Sequence, residues 1–151
     1  MKLEKAIKQS TPFRSSRQRA AVNLIFTHNW LVSHHRNFLK GADITIQQYN
    51  VLRILRGQSP NPISTSDIRE RMLDRRSDVS RIVDRLLKKD LISRSTCQED
   101  KRLVDVTISQ SGLDLLAELD NRGDMLDEIM NSLSDDEVDQ LNDLLDKMRN
   151  Q

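Results

Sequence analysis

The 151-residue chain contains one cysteine, Cys97, and no long apolar run. A single cysteine excludes an intramolecular disulfide framework, and the absence of such a framework is typical of proteins of the reducing cytosol. A membrane helix needs about 20 consecutive apolar residues. Residues 1–16 are polar and contain no hydrophobic signal core. We therefore expect a cytoplasmic protein that forms one domain and has no membrane partner.

Sequence signatures of catalysis are also missing. The chain has no Gly-rich phosphate loop and no Ser/His/Asp arrangement that local sequence supports. His28 and His35 are seven residues apart, which corresponds to about 10 Å along a helix and is too far for one shared metal ion. We expect no enzyme activity, no cofactor and no metal site.

Charge is unevenly distributed, although the formal net charge is only +1. Residues 1–40 contain eight Lys and Arg and one acidic residue, whereas residues 111–151 contain three basic and twelve acidic residues. The middle of the chain, residues 61–110, has eleven basic and nine acidic residues. Charge balance alone therefore does not indicate a nucleic-acid partner.

Both ends of the chain have helical periodicity. The apolar spacing predicts a long helix over residues 16–39 and a second over 45–56, followed by a turn-rich break at 57–62. Helical spacing returns after Ser109, with Gly123 as a point where the helix kinks or divides, and a capping box at residues 134–137 begins the last helix. These terminal helices carry more apolar positions than one small lobe needs, which favours a homodimer.

The middle of the chain predicts a helix, a turn, a second helix and two strands. Ser64 and Asp67 form a capping box, after one or two extended residues near Ile63, and begin a short helix that ends near Asp74. The buried side of this helix is predicted to contain Ile68, Met72 and Leu73.

The next helix is predicted over Ser77–Lys89. Its apolar stripe consists of Val79, Ile82, Val83, Leu86 and Leu87, and its other face consists of Ser77, Ser80, Arg81, Arg85 and Lys88. Alternating β-branched residues then predict strands at 91–96 and 103–108, joined by a polar hairpin at 97–102. This order is that of a winged helix-turn-helix, in which the second helix enters the major groove of DNA.

The segment Ser77–Leu86, together with Leu91–Arg94 and Asp100–Gly112, resembles the MarR family of bacterial transcription regulators. The resemblance implies a mainly α fold with a small β-wing, in which residues 45–109 form the DNA-binding lobe and residues 1–44 and 110–151 form a helical dimerisation region. It also implies a homodimeric repressor that binds a pseudo-palindromic operator and responds to a small effector. The family commonly has glycine where this chain has Asp90.

Carried over by position, the resemblance assigns six residues to DNA binding: Ser77, Ser80, Arg81 and Arg85 on the recognition helix, and Lys101 and Arg102 on the wing. Asp100 would brace Arg102 for the minor groove, while Lys101 would neutralise a phosphate. Two simpler interpretations remain open. The helix arginines could form a solvated face paired with Asp78 and Asp84, and Asp100 with Arg102 could be an ordinary hairpin ion pair.

Three further interpretations also have alternatives. Trp30, His34 and Tyr49 either line a cavity for a small aromatic effector or belong to a packed core or dimer interface. Cys97 is either a redox switch or an incidental thiol; the family's peroxide sensors use a cysteine in the first helix, where this chain has none. Finally, the alternative to a DNA-binding regulator is a winged-helix module for protein–protein interaction.

Overall fold

The computed structural model describes residues 1–96, 104–123 and 125–150. It contains two compact units, Met1–Gly41 and Ala42–Gln151. The first unit holds α1 (Leu3–Ala6) and α2 (Ser16–Phe38). The described part of the second unit contains α3 (Ile46–Gln58), β1 (Ile63–Ser64), α4 (Thr65–Arg71), α5 (Val79–Leu87), β2 (Ile92–Thr96), β3 (Val104–Ile108), α6 (Gln110–Asp120), α7 (Met125–Met130) and α8 (Asp135–Arg149).

In the first unit, α2 follows the predicted long helix closely. Ser15 begins it by accepting a hydrogen bond from the Gln18 backbone N–H. Arg19 on α2 pairs with Glu4 on α1 at 2.6 Å, and this hydrogen bond lowers the pKa of the Glu4 carboxyl. None of the α2 residues is buried. Within the described ranges, no helix is long and apolar enough to span a membrane.

Capping boxes begin three helices of the second unit. Ser64 with Asp67 begins α4 and Ser134 with Glu137 begins α8, as the sequence predicted. A third capping box, Thr45 with Gln48, begins α3 and was not predicted. Each box satisfies backbone N–H groups that the first turn of a helix leaves without partners. Local sequence therefore determines where these helices begin.

Two predicted helix ends were wrong. Helix α3 continues through Gly57 to Gln58, past the predicted end at Arg56. Helix α4 stops at Arg71 rather than near Asp74, with Met72 as its C-cap. Leu73 consequently lies in the turn and is 88% exposed, whereas the sequence had predicted it to be buried. The apolar spacing did not indicate that Met72 leaves the helical conformation.

The three strands form an antiparallel sheet in the order β1-β3-β2. The predicted pairing of β2 with β3 is confirmed, with Ile92 opposite Ile108. The sequence did not predict that the extended residues at Ile63 join this sheet, where Ile63 lies opposite Val106. Two residues are too few for alternation to be visible. The fold is thus mainly α with a small β-sheet, as expected.

The core of the second unit lies between the helices and this sheet. Its largest fully buried side chains come from α3, α4, α5, β3 and α6: Val51, Leu52, Leu55, Ile68, Val79, Leu86, Val106, Leu116 and Leu119. Every one of these elements therefore contributes a side chain that water does not reach. This shared core fixes the position of α5 in the second unit.

The C-terminal end of α5 is closed by a left-handed residue. Asp90 has φ 55°, the conformation that glycine adopts at such ends without steric cost. The Leu91 N–H bonds the Leu86 carbonyl at 3.1 Å, and the Asp90 N–H bonds the Leu87 carbonyl at 3.0 Å. This is the Schellman pattern, so Asp90 takes the geometry expected of the glycine it replaces.

Helix α6 approaches this same corner closely. Ser109 accepts a hydrogen bond from the Gly112 N–H at 3.1 Å, and its hydroxyl donates to the Asp90 carbonyl at 2.7 Å. A Cβ atom on Gly112 would lie 2.2 Å from the Leu91 carbonyl oxygen. Only glycine therefore allows the first turn of α6 to pack here. The predicted division after this helix is confirmed, since α6 ends at Asp120 and Gly123 has φ 94°.

Candidate nucleic-acid interface

Helix α5 has one buried and one exposed face. Val79, Val83 and Leu86 are at most 2% exposed, as the predicted apolar stripe requires. Ile82 and Leu87, predicted in the same stripe, are only half-buried. The opposite face presents Ser80, Arg81 and Arg85 to solvent. A helix anchored in this way can offer two guanidinium groups to a ligand without exposing its apolar side.

The start of α5 corrects the predicted position of Ser77. The Asp78 carboxylate accepts the Arg81 backbone N–H at 3.1 Å, so Asp78 is the N-cap and Val79 is the first helical residue. Ser77 therefore precedes the helix instead of lying on its surface. It is half-buried, and its Oγ is buried without a hydrogen-bond partner among the described residues.

The arginines of α5 border an open depression of about 250 Å³. Residues from α3, the turn and α5 line it: Thr45, Gln47, Asp74, Ser77, Asp78, Arg81, Ile82 and Arg85. Sequence patterns did not indicate Thr45 and Gln47 here, because most of α3, β1 and α4 separate them along the chain from the other lining residues. The depression places the turn beside the exposed face of α5.

The carboxylates near α5 do not pair with its arginines. Asp84 is paired with Arg94 on β2, at 3.6 Å. Asp78 caps the helix through a backbone N–H. Across the described ranges, neither Arg81 nor Arg85 takes part in an ion pair. The predicted pairing of these arginines with Asp78 and Asp84 is therefore not seen among the described residues, and both arginines are exposed to solvent.

The predicted wing residues Cys97, Asp100, Lys101 and Arg102 lie outside the described residues. The strands on either side of them are described: β2 leads out to Thr96 and β3 returns from Val104. The assignment of these wing residues therefore stays a prediction.

The three predicted effector residues fall in different units. In the first unit, the rings of Trp30 and His34 meet edge to face with centroids 4.5 Å apart, and Trp30 is 42% exposed. In the second unit, Tyr49 is buried on α3, with the Arg53 guanidinium 5.8 Å from its ring centroid. The structure brings Trp30 and His34 together, and their role stays a prediction. In the described ranges, no cluster of three or more His, Cys, Asp or Glu side chains could hold a metal ion.

Comparisons with known proteins agree on one family. The family model "MarR family" matches residues 44–104. A MarR transcription factor from Planctomyces limnophilus is 29% identical, with 89% of this chain and 98% of that chain covered and a TM-score of 0.68. No curated protein matches the chain.

Two other solved structures are similar in fold. A mutant MarR from E. coli, complexed with operator DNA, is 24% identical, with 98% and 99% of the two chains covered and a TM-score of 0.76. Bordetella bronchiseptica BpsR, whose DNA binding is regulated by 6-hydroxynicotinic acid, is 22% identical, with 87% and 99% covered and a TM-score of 0.74.

Proposed function

We propose that this chain is a cytoplasmic, homodimeric repressor of the MarR family, whose model matches residues 44–104, and that it binds a pseudo-palindromic operator and is released by a small aromatic effector. The observation that carries the proposal is the exposed face of α5. Arg81 and Arg85 are exposed on a helix whose opposite face is buried, outside any ion pair with described residues. Arginine in the major groove can bond guanine through two N–H groups, which gives base specificity.

The remaining predicted DNA contacts complete this proposal. Ser80 is exposed on the same face as the two arginines and can donate or accept a hydrogen bond. Ser77 lines the depression beside the start of the helix, and its hydroxyl would have to turn outward to contact DNA, because its Oγ is buried. On the wing, Arg102 braced by Asp100 would enter the minor groove, and Lys101 would contact a phosphate.

A homodimer is supported by apolar surface on α2 and α8. In the first unit, Ile25 is 64% exposed and Trp30 is 42% exposed. In the second, Leu144 is 65% and Met148 is 47% exposed, and α8 contains no buried residue. Large side chains that remain exposed along whole helices are typical of surfaces that another chain covers. A second copy would also provide the second DNA-binding lobe.

The proposed effector is a small aromatic molecule. This proposal is supported by the contact between the rings of Trp30 and His34 in the first unit, and by the regulation of BpsR by 6-hydroxynicotinic acid. Such rings can stack against Trp and Tyr. An effector that binds the DNA-free form more tightly than the DNA-bound form lowers operator affinity. The factor is the ratio of the effector's affinities for the two forms.

The DNA-binding proposal is tested by selecting bound fragments from genomic DNA and measuring affinities by fluorescence anisotropy. Arg81→Ala or Arg85→Ala removes one contact from each subunit of the proposed dimer, so it should reduce discrimination between the selected operator and a scrambled duplex by about 30-fold or more, the equivalent of about 1–3 kcal/mol for each bidentate contact. Arg122→Ala is the matched control, because Arg122 follows α6 and pairs there with Glu118.

Two results would count against the proposal. Wild-type discrimination in both α5 variants would refute the assignment of the base-reading residues. If the wild-type protein binds no genomic fragment even at low salt, DNA is not its partner, and a protein-interaction module becomes the better interpretation.

A further inference from the structure

The turn between α4 and α5 carries exposed arginines that lie outside the recognition helix. Arg75 and Arg76 are in the turn itself, and Arg69 and Arg71 are in the last turn of α4. All four are exposed. In the described part of the chain, none of them takes part in an ion pair. We refer to Arg75 and Arg76 together as the turn pair.

Some other arginines of the second unit are paired. Arg56 on α3 pairs with Asp120 at 2.6 Å, and Arg94 on β2 pairs with Asp84 at 3.6 Å. Beside the turn pair, the Asp74 carboxylate bonds a backbone group instead, since it accepts the Arg76 N–H at 3.0 Å. The guanidinium groups of the turn pair are therefore available to an external anion.

The backbone of the turn is held in place from both sides. The Asn50 side-chain oxygen on α3 accepts the Leu73 N–H at 3.0 Å. The Ser77 N–H bonds the Asp74 carbonyl at 3.1 Å. Arg75 and Arg76 therefore project from a segment with few conformations, which reduces the entropy cost when they bind.

The turn also lies next to the surface that would read bases. Asp74 and Ser77, on either side of the turn pair, line the same depression as Arg81 and Arg85. In a helix-turn-helix, the second helix contacts base edges while the first helix crosses the phosphate backbone, and the turn pair lies between the two helices. The positions of Arg75 and Arg76 thus correspond to the phosphate backbone rather than to the base edges.

We propose that the turn pair binds two phosphates of the DNA strand that borders the groove occupied by α5. This inference rests on the proposed function, because it needs DNA as the partner. Contacts to phosphate fix the register of a protein on the duplex without reading sequence. Arg75 and Arg76 therefore contribute affinity that is common to all sequences, and α5 contributes the discrimination.

Salt dependence of binding tests the turn pair directly. Removing one arginine–phosphate interaction should reduce the slope of log affinity against log salt by about 0.9. A single Arg75→Ala or Arg76→Ala change removes one such interaction from each subunit, so the slope of a dimer should fall by about 1.8. Affinity for operator and scrambled duplex should fall by the same factor. The measurement is anisotropy at several salt concentrations.

The matched controls are Arg75→Lys and Arg76→Lys, which keep the charge and should keep the wild-type slope. A slope that is unchanged in both alanine variants, while Arg81→Ala still loses discrimination, would overturn this inference and leave the proposed function intact. A loss of discrimination in the turn variants would also overturn it, since that would mean base reading. Absence of DNA binding by the wild-type protein would overturn both proposals.

Discussion

At the scale of single residues, Gly112 decides whether α6 can pack against the segment that follows α5. Its missing side chain leaves room for the Leu91 carbonyl, which a Cβ atom would approach to 2.2 Å. A second atom, Cγ1 of Ile108, would lie at 2.8 Å. The obstacle includes a backbone group, which cannot move away as the end of a flexible side chain can. This glycine is thus required by packing, since no positive φ is involved.

Gly112→Ala should lower the free energy of unfolding by about 1–3 kcal/mol, the usual cost of overpacking. Gly57→Ala is the matched control, because Gly57 lies in α3 and a Cβ there would meet no atom within 4 Å. The control should raise stability by about 0.5–1 kcal/mol, since alanine restricts the unfolded chain more than glycine. Urea unfolding at a fixed protein concentration measures both. Equal effects of the two substitutions would contradict this account.

Asp90 shows what the sequence could and could not reveal about a residue. The family resemblance identified it as the departure from glycine, and the structure gives it a φ of 55° with the cap bonds intact. Ser77 was less predictable. Its place in the apolar and polar pattern indicated the helix surface, but the Asp78 cap moves the helix start beyond it. Pattern alone does not show which of two adjacent polar residues becomes the cap.

At the scale of elements, the N-cap of α5 combines two opposing effects. The Asp78 carboxylate stabilises the helix by accepting the Arg81 N–H. It also places a negative charge in the same depression as Arg81 and Arg85. If α5 binds DNA as proposed, that charge repels a DNA phosphate, so the residue that begins α5 also weakens its attraction to DNA.

Asp78→Asn and Asp78→Ala separate these two effects. Asparagine caps as well as aspartate does, so Asp78→Asn should keep wild-type stability while DNA affinity rises. Asp78→Ala loses the cap and should lower the free energy of unfolding by about 1 kcal/mol. Thermal unfolding measures the stability of each variant, and fluorescence anisotropy measures its DNA affinity. An unchanged or lower DNA affinity of Asp78→Asn would contradict the expected repulsion between the Asp78 carboxylate and DNA phosphates.

Helix starts were more predictable than other element boundaries. Ser64 and Ser134 form capping boxes that mark the starts of α4 and α8 in the sequence. The end of α4 has no such signal, because Arg71 and Met72 are both ordinary helix residues. Strand β1 depends on a partner, Val106, that lies 43 residues later. Long-range pairing of this kind is not encoded in a two-residue segment.

At the scale of the whole molecule, the apolar side chains of α8 provide a test of the dimer. Leu144→Glu should shift the protein towards monomer at micromolar concentration, because a carboxylate would be buried without a partner. Asn142→Glu is the matched control, since it adds the same charge to the same helix about 200° away from position 144. Light scattering reports the mass. A wild-type mass in both variants would exclude this face of α8 from the interface.

Part of the candidate site was predictable from local sequence, and part depends on contacts between residues far apart in the chain. The exposed arginines of α5 were predictable because helical spacing separates them from Val79, Val83 and Leu86. The residues that α3 contributes to the depression, Thr45 and Gln47, were not, because only the folded chain brings them there. Unequal charge at the two ends was visible in composition, but it did not indicate which surfaces meet.

The pairing of β1 with β3 links the evolution of two parts of the lobe. β3 bonds β2 on one edge and Ile63–Ser64 on the other, and Thr65 begins α4 immediately afterwards. A substitution that changes the twist of the β2–β3 strand pair should also change the direction in which α4 starts. We therefore expect these strands and α4 to vary under a common constraint. Homologous sequences should show correlated substitutions at these two places.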